Sequence, residues 1–379
     1  MKMKLIGFAI ATAFAATAGV ASAQTVVKIG HVGPLTGGIA HLGKDNEFGG
    51  RLAIEELNAK GLTIGGKPVK FELIGEDDAA DPKQGTAAAQ KLVDSGVAGV
   101  VGHLNSGTSI PAARIYSNAG VPQISPSSTA PSYTKQGFKT TFRVVANDGQ
   151  LGGTLGRYAV NELKAKSIAV IDDRTAYGQG VADEFEKAVK AAGGKIVGRE
   201  FTNDKATDFS AILTKLKGAK PDVVFYGGMD AVAGPMMRQM KQLGIDARFM
   251  GGDGICTGEM AKLAGDAIGE GKVICAEAGG VTPDKAGAIE DFKKRFKSKF
   301  GIDVQLYAPY VYDAVNTMVA AMQKADSTDP KKYLPELAKI NYDGITGKIA
   351  FDQFGDMKDA ALTLYTYKGG QKTQMMVVK

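Results

Sequence analysis

Hydroxyls on two short loops, a glycine-flanked carboxylate and a tyrosine ahead of a helix are the residues of this chain best suited to chemistry on a small molecule. The segment Asn105-Ser106-Gly107-Thr108 leads into a helical stretch predicted to begin near Ser109. Free backbone N–H groups and the positive end of that helix favour an anion, and a carboxylate is well matched. Ser125-Pro126-Ser127-Ser128-Thr129-Ala130-Pro131 adds hydroxyls and backbone donors without a charge. Capping is the usual work of such residues, so a ligand role for Ser106 and Thr129 rests on the two loops being neighbours. Asp253, in Gly251-Gly252-Asp253-Gly254, has neighbours small enough for a ligand to approach the backbone. A lone carboxylate opposite an anion site suits an ammonium group; its plain alternative is a turn aspartate bonded to its own backbone. Tyr177, in Ala176-Tyr177-Gly178-Gln179-Gly180, reads in isolation as a partly buried loop aromatic. The chain contains no GxSxG, P-loop, HExxH or complete GxGxxG, and its only histidines are His31, His41 and His103, which leaves a catalytic reading little to stand on.

The elements that must position these residues alternate short β-branched runs with amphipathic stretches, the pattern of parallel sheets flanked by helices. Strands are predicted at 26–32, 69–75, 97–102 and 121–125, with helices at 47–58, 82–95 and 109–118. A second series has strands at 167–171, 196–201, 222–226, 248–251 and 273–276. Between them Phe209, Ile212, Leu213 and Leu216 recur at the spacing of one buried helix face. The stretch ending at Ser128 and the one ending at Gly254 share an order: helix end, buried strand, glycine-rich loop, helix, glycine stop, strand, small-residue loop. Two doubly wound α/β lobes follow, and ligands of such sheets sit where strand ends lead into helix N-termini. Four loops, 104–108, 125–130, 227–231 and 252–257, would then surround one cleft.

The first residues carry Lys2 and Lys4, an uncharged run from Leu5 to Val20, and Ala21-Ser22-Ala23. This is read as a secretory signal peptide cleaved after Ala23, because the run falls short of the roughly 20 residues a spanning helix needs. A composition of 44% hydrophobic and 23% charged residues places the rest among globular chains. The net charge of +6 becomes +4 once the two leader lysines are removed. Basic residues form no stripe with interleaved aromatics, so nucleic-acid binding has little support. Cys256 and Cys275, 19 positions apart, could form a disulfide in an oxidising compartment or remain two buried thiols. No CxxC is present, which argues against redox catalysis.

Beyond these local readings the chain resembles the periplasmic leucine/isoleucine/valine-binding proteins of ABC importers, which have a type I periplasmic binding protein fold. The resemblance covers essentially the whole mature sequence. Its marks are DDAADPKQ (77–84), VGHLNSGTS (101–109), SPSSTAP (125–131), YGQG (177–180), TDFS (207–210) and YGG (226–228). The resemblance implies that Ser106 binds the amino-acid carboxylate, that Ser127 and Thr129 add contacts, that Tyr177 contributes from the second lobe, that Asp253 holds the ammonium and that Tyr307 covers the side-chain pocket. This sequence has Asp253 where enteric members have a glutamate, and Leu42 and Met229 where they have pocket tyrosines. Ala80 and Asn105 stand at those proteins' two cysteine positions, so a bridge between Cys256 and Cys275 would instead staple the second lobe.

The resemblance further implies a lobe 1 of 24–146 plus 278–348 and a lobe 2 of 147–277 plus 349–379, joined by three crossings near 146–148, 276–280 and 347–351. Residues 362–379 are expected to add strands to lobe 2. It also implies a monomer in the periplasm, without a cofactor, that delivers its amino acid to ABC permease subunits in the inner membrane. The runner-up cargo is an amide, proline, or a γ-amino or aromatic amino acid.

Overall fold

The computed structural model describes residues 24–378, so the expected leader and its cleavage after Ala23 lie outside the described residues. The first sheet contains β1 (Thr25–Gly33), β2 (Thr63–Ile64), β3 (Lys67–Asp77), β4 (Gly99–Gly102), β5 (Gln123–Ser125) and β6 (Thr141–Arg143), in the order β2-β3-β1-β4-β5-β6. The second contains β7 (Ile168–Asp172), β8 (Ile196–Phe201), β9 (Val223–Gly227), β10 (Arg248–Gly251) and β11 (Val273–Glu277). After a small β12 (Asn341–Asp343) and β13 (Lys348–Ala350) pair, the chain completes that sheet with β14 (Leu362–Lys368) and β15 (Gln371–Val378). Its order is β15-β14-β11-β10-β9-β7-β8. Both sheets are parallel except for the β2 hairpin and the antiparallel β14 and β15. Every residue of β4, β7 and β9 is buried, as expected of strands covered on both faces.

The helices are α1 (Ala40–Ala59), α2 (Pro82–Asp94), α3 (Ser106–Ala119), α4 (Asp148–Asn161), α5 (Ala176–Ala191), α6 (Ser210–Gly218), α7 (Asp230–Gln242), α8 (Met260–Ala264), α9 (Ala286–Phe300), α10 (Ala308–Lys324) and α11 (Pro330–Leu337). Their starts are written locally. Asp81 accepts from the N–H groups of Lys83 and Gln84 ahead of Pro82, Asn147 and Gln150 form a reciprocal capping box, and Thr175 accepts from Gly178. Helix α1 starts seven residues before the predicted Glu47. Its glycines hide the helix from sequence reading, yet packing demands them: a Cβ on Gly43 would lie 2.1 Å from the Pro34 carbonyl, and one on Gly49 2.3 Å from that of Ala308.

In each lobe the parallel core runs β3-β1-β4-β5 or β8-β7-β9-β10-β11, so the winding direction reverses between the first and third strands of the series. At such a switch point the loops diverge and leave a crevice. Segments 34–39 and 103–105 leave the first sheet there, and 173–175 and 228–229 leave the second.

The lobes meet through neighbouring chain segments. The Ala146 N–H donates to the Ala278 carbonyl over 2.7 Å, tying the link after β6 to the link after β11. Past the expected crossing at 347–351 the chain still contacts the edge of the first sheet, and Asp356 also accepts from Asn147 Nδ2 at 3.2 Å. Gly355 accepts from the Arg143 N–H at 2.9 Å, and Asp356 takes Arg143 Nε at 2.6 Å. Only from Leu362 does the chain join the second sheet. The reason is the fully buried Arg143, whose charge needs a carboxylate partner, and Asp356 is that partner.

Candidate functional site

The first lobe contributes two loops locked to each other. The fully buried His103 sits between Asp78 Oδ2 at 3.2 Å and the Tyr116 hydroxyl at 3.0 Å, while its carbonyl accepts from Ser109 Oγ and Ser125 Oγ. It therefore orders the turn. Helix α3 starts at Ser106, not Ser109, which puts Ser106 in the first turn. Ser106 Oγ accepts the Ala130 N–H at 3.2 Å, so its own proton is free for another acceptor. Ser127 Oγ donates to the Leu104 carbonyl at 2.9 Å. Arg143 pins the second loop from below through the carbonyls of Ser128 at 2.7 Å and Ala130 at 3.1 Å. Between those residues the buried Thr129 hydroxyl has no hydrogen-bond partner.

The second lobe answers with carboxylates. Tyr177, in the first turn of α5 and buried rather than in an open loop, donates to Asp253 Oδ1 at 2.7 Å and accepts from the Gly254 N–H at 2.9 Å. Tyr307, immediately before α10 of the first lobe, donates to Asp253 Oδ2 at 2.9 Å, so this bond crosses between lobes. Four backbone N–H groups from Gln305 to Ala308 converge on the buried Asp45 of α1 and fix Tyr307 in place. The glycines around Asp253 serve the protein itself. A Cβ on Gly252 would lie 2.7 Å from the Tyr177 hydroxyl and one on Gly254 2.5 Å from the Gly228 carbonyl. Burial pushes the Asp253 carboxyl up to about 6, against the pull of both tyrosine hydroxyls.

Sequence reading passed over Asp148. It opens α4, is fully buried, and neither carboxylate oxygen has a hydrogen-bond partner. Burial raises its carboxyl to about 8; the Thr129 hydroxyl, close by but outside hydrogen-bonding geometry, opposes the rise, and the charge of Asp253 adds to it. Its only signal in the sequence was its place in an expected hinge crossing, where an aspartate reads as a helix-start residue.

These groups surround an inner cavity of about 10 Å³ lined by Leu104, Asn105, Ser106, Ser127, Tyr177, Met229 and Tyr307, room for one water-sized group. Asn105, Tyr177 and Met229 also line an outer chamber of about 550 Å³, whose walls include Ile39, Ala80 and Val232. The structure thus gathers Ser106, Ser127, Tyr177, Met229 and Tyr307 on one cavity, with Asp253 bonded to both tyrosines. Leu42 is fully buried on α1 and lines neither cavity. Cys256 and Cys275 are joined in a disulfide with Cα atoms 5.3 Å apart, stapling the loop after Asp253 to β11. Among the described residues no group of three or more His, Cys, Asp or Glu could hold a metal ion, and no helix is long and apolar enough to cross a membrane.

Known proteins resemble the chain over nearly its whole length. A leucine-, isoleucine-, valine-, threonine- and alanine-binding protein of Pseudomonas aeruginosa is 36% identical over 366 residues, 96% of each chain. The leucine-binding protein LivK of Thermotoga maritima superposes with a TM-score of 0.84 at 29% identity, covering 93% of this chain and 98% of that one. The branched-chain amino acid transporter substrate-binding protein LivJ of Streptococcus pneumoniae, in complex with isoleucine, gives a TM-score of 0.83 at 27% identity, covering 93% and 99%. With the family model described as periplasmic binding protein matching residues 26–372, the chain belongs to that family.

Proposed function

We propose that the chain is the extracytoplasmic, substrate-binding component of an ABC importer, capturing a branched-chain amino acid as its zwitterion between the lobes and passing it to permease subunits in the inner membrane. One observation carries this reading. Ser106 of the first lobe, with a free hydroxyl proton, lines one inner cavity with Tyr177 and Tyr307, which both donate to the fully buried Asp253 carboxylate, while the buried, unpartnered Asp148 carboxylate lies beside Thr129, to whose carbonyl the Asp148 N–H donates at 2.8 Å. A carboxylate guest would take the free Ser106 proton, the Thr129 hydroxyl and the N-terminus of α3, while its ammonium would lie between Asp148 and Asp253. The water-sized inner cavity requires the lobes to part for entry and close around the guest. The relatives named for leucine, isoleucine and valine binding, and the isoleucine bound in LivJ, support the same cargo.

Each charge-assisted hydrogen bond contributes about 1.5 to 3 kcal/mol, and burying a leucine-sized side chain about as much again. One methylene distinguishes ligands by only about 1 to 3 kcal/mol, so leucine, isoleucine and valine should compete. A second reading, an aromatic or otherwise larger amino acid, draws on the 550 Å³ chamber that adjoins the inner cavity. A thermal-shift panel of the common amino acids and simple amides decides between them. Leucine, isoleucine and valine should raise Tm by several degrees, and a panel in which none of them does would overturn the reading. Mass spectrometry of the recovered ligand should show it unaltered, as a monomeric carrier without catalysis requires.

A further inference from the structure

Away from the zwitterion contacts, the first turns of α1 and α7 meet across the cleft, one from each lobe. Gly38 approaches so closely that a Cβ on it would lie 3.4 Å from Ala231 Cβ. Beside that contact His41 Nε2 lies 2.9 Å from Asp230 Oδ2. The Asp230 side chain is fully buried and that of His41 only 23% exposed, so water screens the pair weakly. Thr257 Oγ1 donates to the same Asp230 oxygen at 2.5 Å, leaving Oδ1 buried without a partner. A second side-chain bond between the lobes is that from Tyr307 to Asp253. Nothing in the amino-acid site needs the pair of His41 and Asp230.

We propose that His41 and Asp230 form a latch between the lobes that slows ligand escape and engages when His41 is protonated, which makes them positioning residues for amino-acid capture. This inference rests on the reading of the cleft given above. The charged and titratable groups around the His41 ring are Asp230 and Glu259 from the second lobe and Asp45 from its own helix, all acidic. Burial lowers the pKa of His41, but its bond to Asp230 and the charges of Asp230, Glu259 and Asp45 outweigh that, and the net direction is upward. Opening the lobes removes the Asp230 contact and returns the imidazole toward its ordinary value. Protons therefore bind more tightly to the closed form. The latch is fully engaged below the open-form pKa and released as pH rises through the closed-form one. The two buried carboxylates of the site work the other way, since raising pH ionises them and favours an ammonium guest, so wild-type affinity alone would mix both effects.

The test is calorimetric titration with leucine of the wild-type protein and of His41→Gln, which keeps a polar side chain but cannot titrate, at pH 5.5 and pH 8.5. The expected ratio of Kd values, variant over wild type, is about fivefold or more at pH 5.5 and close to one at pH 8.5, with the acid-side loss carried by a faster off-rate. Asp230→Asn should behave in the same way. Leucine binding with a ratio that stays constant between the two pH values would overturn the latch and leave the amino-acid reading standing. No binding of leucine, isoleucine or valine by the folded wild-type protein at either pH would overturn both.

Discussion

Asp253 and Asp148 are the carboxylates that the proposed binding mode depends on, and they are partnered very differently. Asp253 already accepts from two tyrosine hydroxyls, so its removal leaves both hydroxyl protons without that acceptor and, in the proposed complex, leaves a buried ammonium without its counter-charge. Asp253→Ala should lower leucine affinity by about 3 kcal/mol or more, over a hundredfold in calorimetric Kd; unchanged affinity would refute its role. Asp148 has neither oxygen bonded, and burial holds its carboxyl near 8 against an ordinary aspartate value of about 3.9. The native state thus holds a proton that the unfolded chain has lost between these two values, and stability falls as pH rises through that window. Asp148→Asn should match the wild-type Tm near pH 4, exceed it by several degrees at pH 8, and bind leucine more weakly. A Tm difference independent of pH would show that Asp148 is not held protonated.

At the scale of elements, parallel strands covered on both faces were legible because continuous apolar runs such as Ile168-Ala169-Val170-Ile171 have few other places to go. The start of α1 was not, because Gly43 and Gly49 suit the close approach of Pro34 and Ala308 rather than helix propensity. Ser106 and Tyr177 were singled out through their motifs and Tyr307 through the family resemblance alone, and all three line the inner cavity. Asp148 was missed because burial, which gives it meaning, is not written beside it. The glycines around Asp253 pointed to a close approach without naming the visitor, the Tyr177 hydroxyl. The disulfide was left open at the level of spacing and settled only by the fold, which brings the loop after Asp253 against β11. For a loop of 19 residues its loss should cost about 3 kcal/mol. Mild reduction should therefore lower Tm, and Cys256→Ser with Cys275→Ser should reproduce the fall without reductant.

Across the whole molecule, Arg143 connects parts that the chain separates. Its guanidinium holds the Ser128 and Ala130 carbonyls of the binding loop and, through Asp356, the returning segment between the lobes. One charge therefore ties the 128–130 loop to the segment that returns between the lobes. Closure about that hinge should appear in solution as a smaller radius of gyration when leucine is added, and small-angle X-ray scattering measures it directly. The Asp253→Ala variant should show no such contraction at the same leucine concentration.

Near its first described residues the chain enters β1 at Thr25, in the middle of one sheet, and the described residues finish with Val378 in β15, on the rim of the other. The two ends of the described residues therefore lie on different sheets, which the proposed closure would move relative to each other. A donor and an acceptor fluorophore attached there would convert capture of a guest into a change in energy transfer, so the native connectivity already has the layout of an optical sensor for its own cargo.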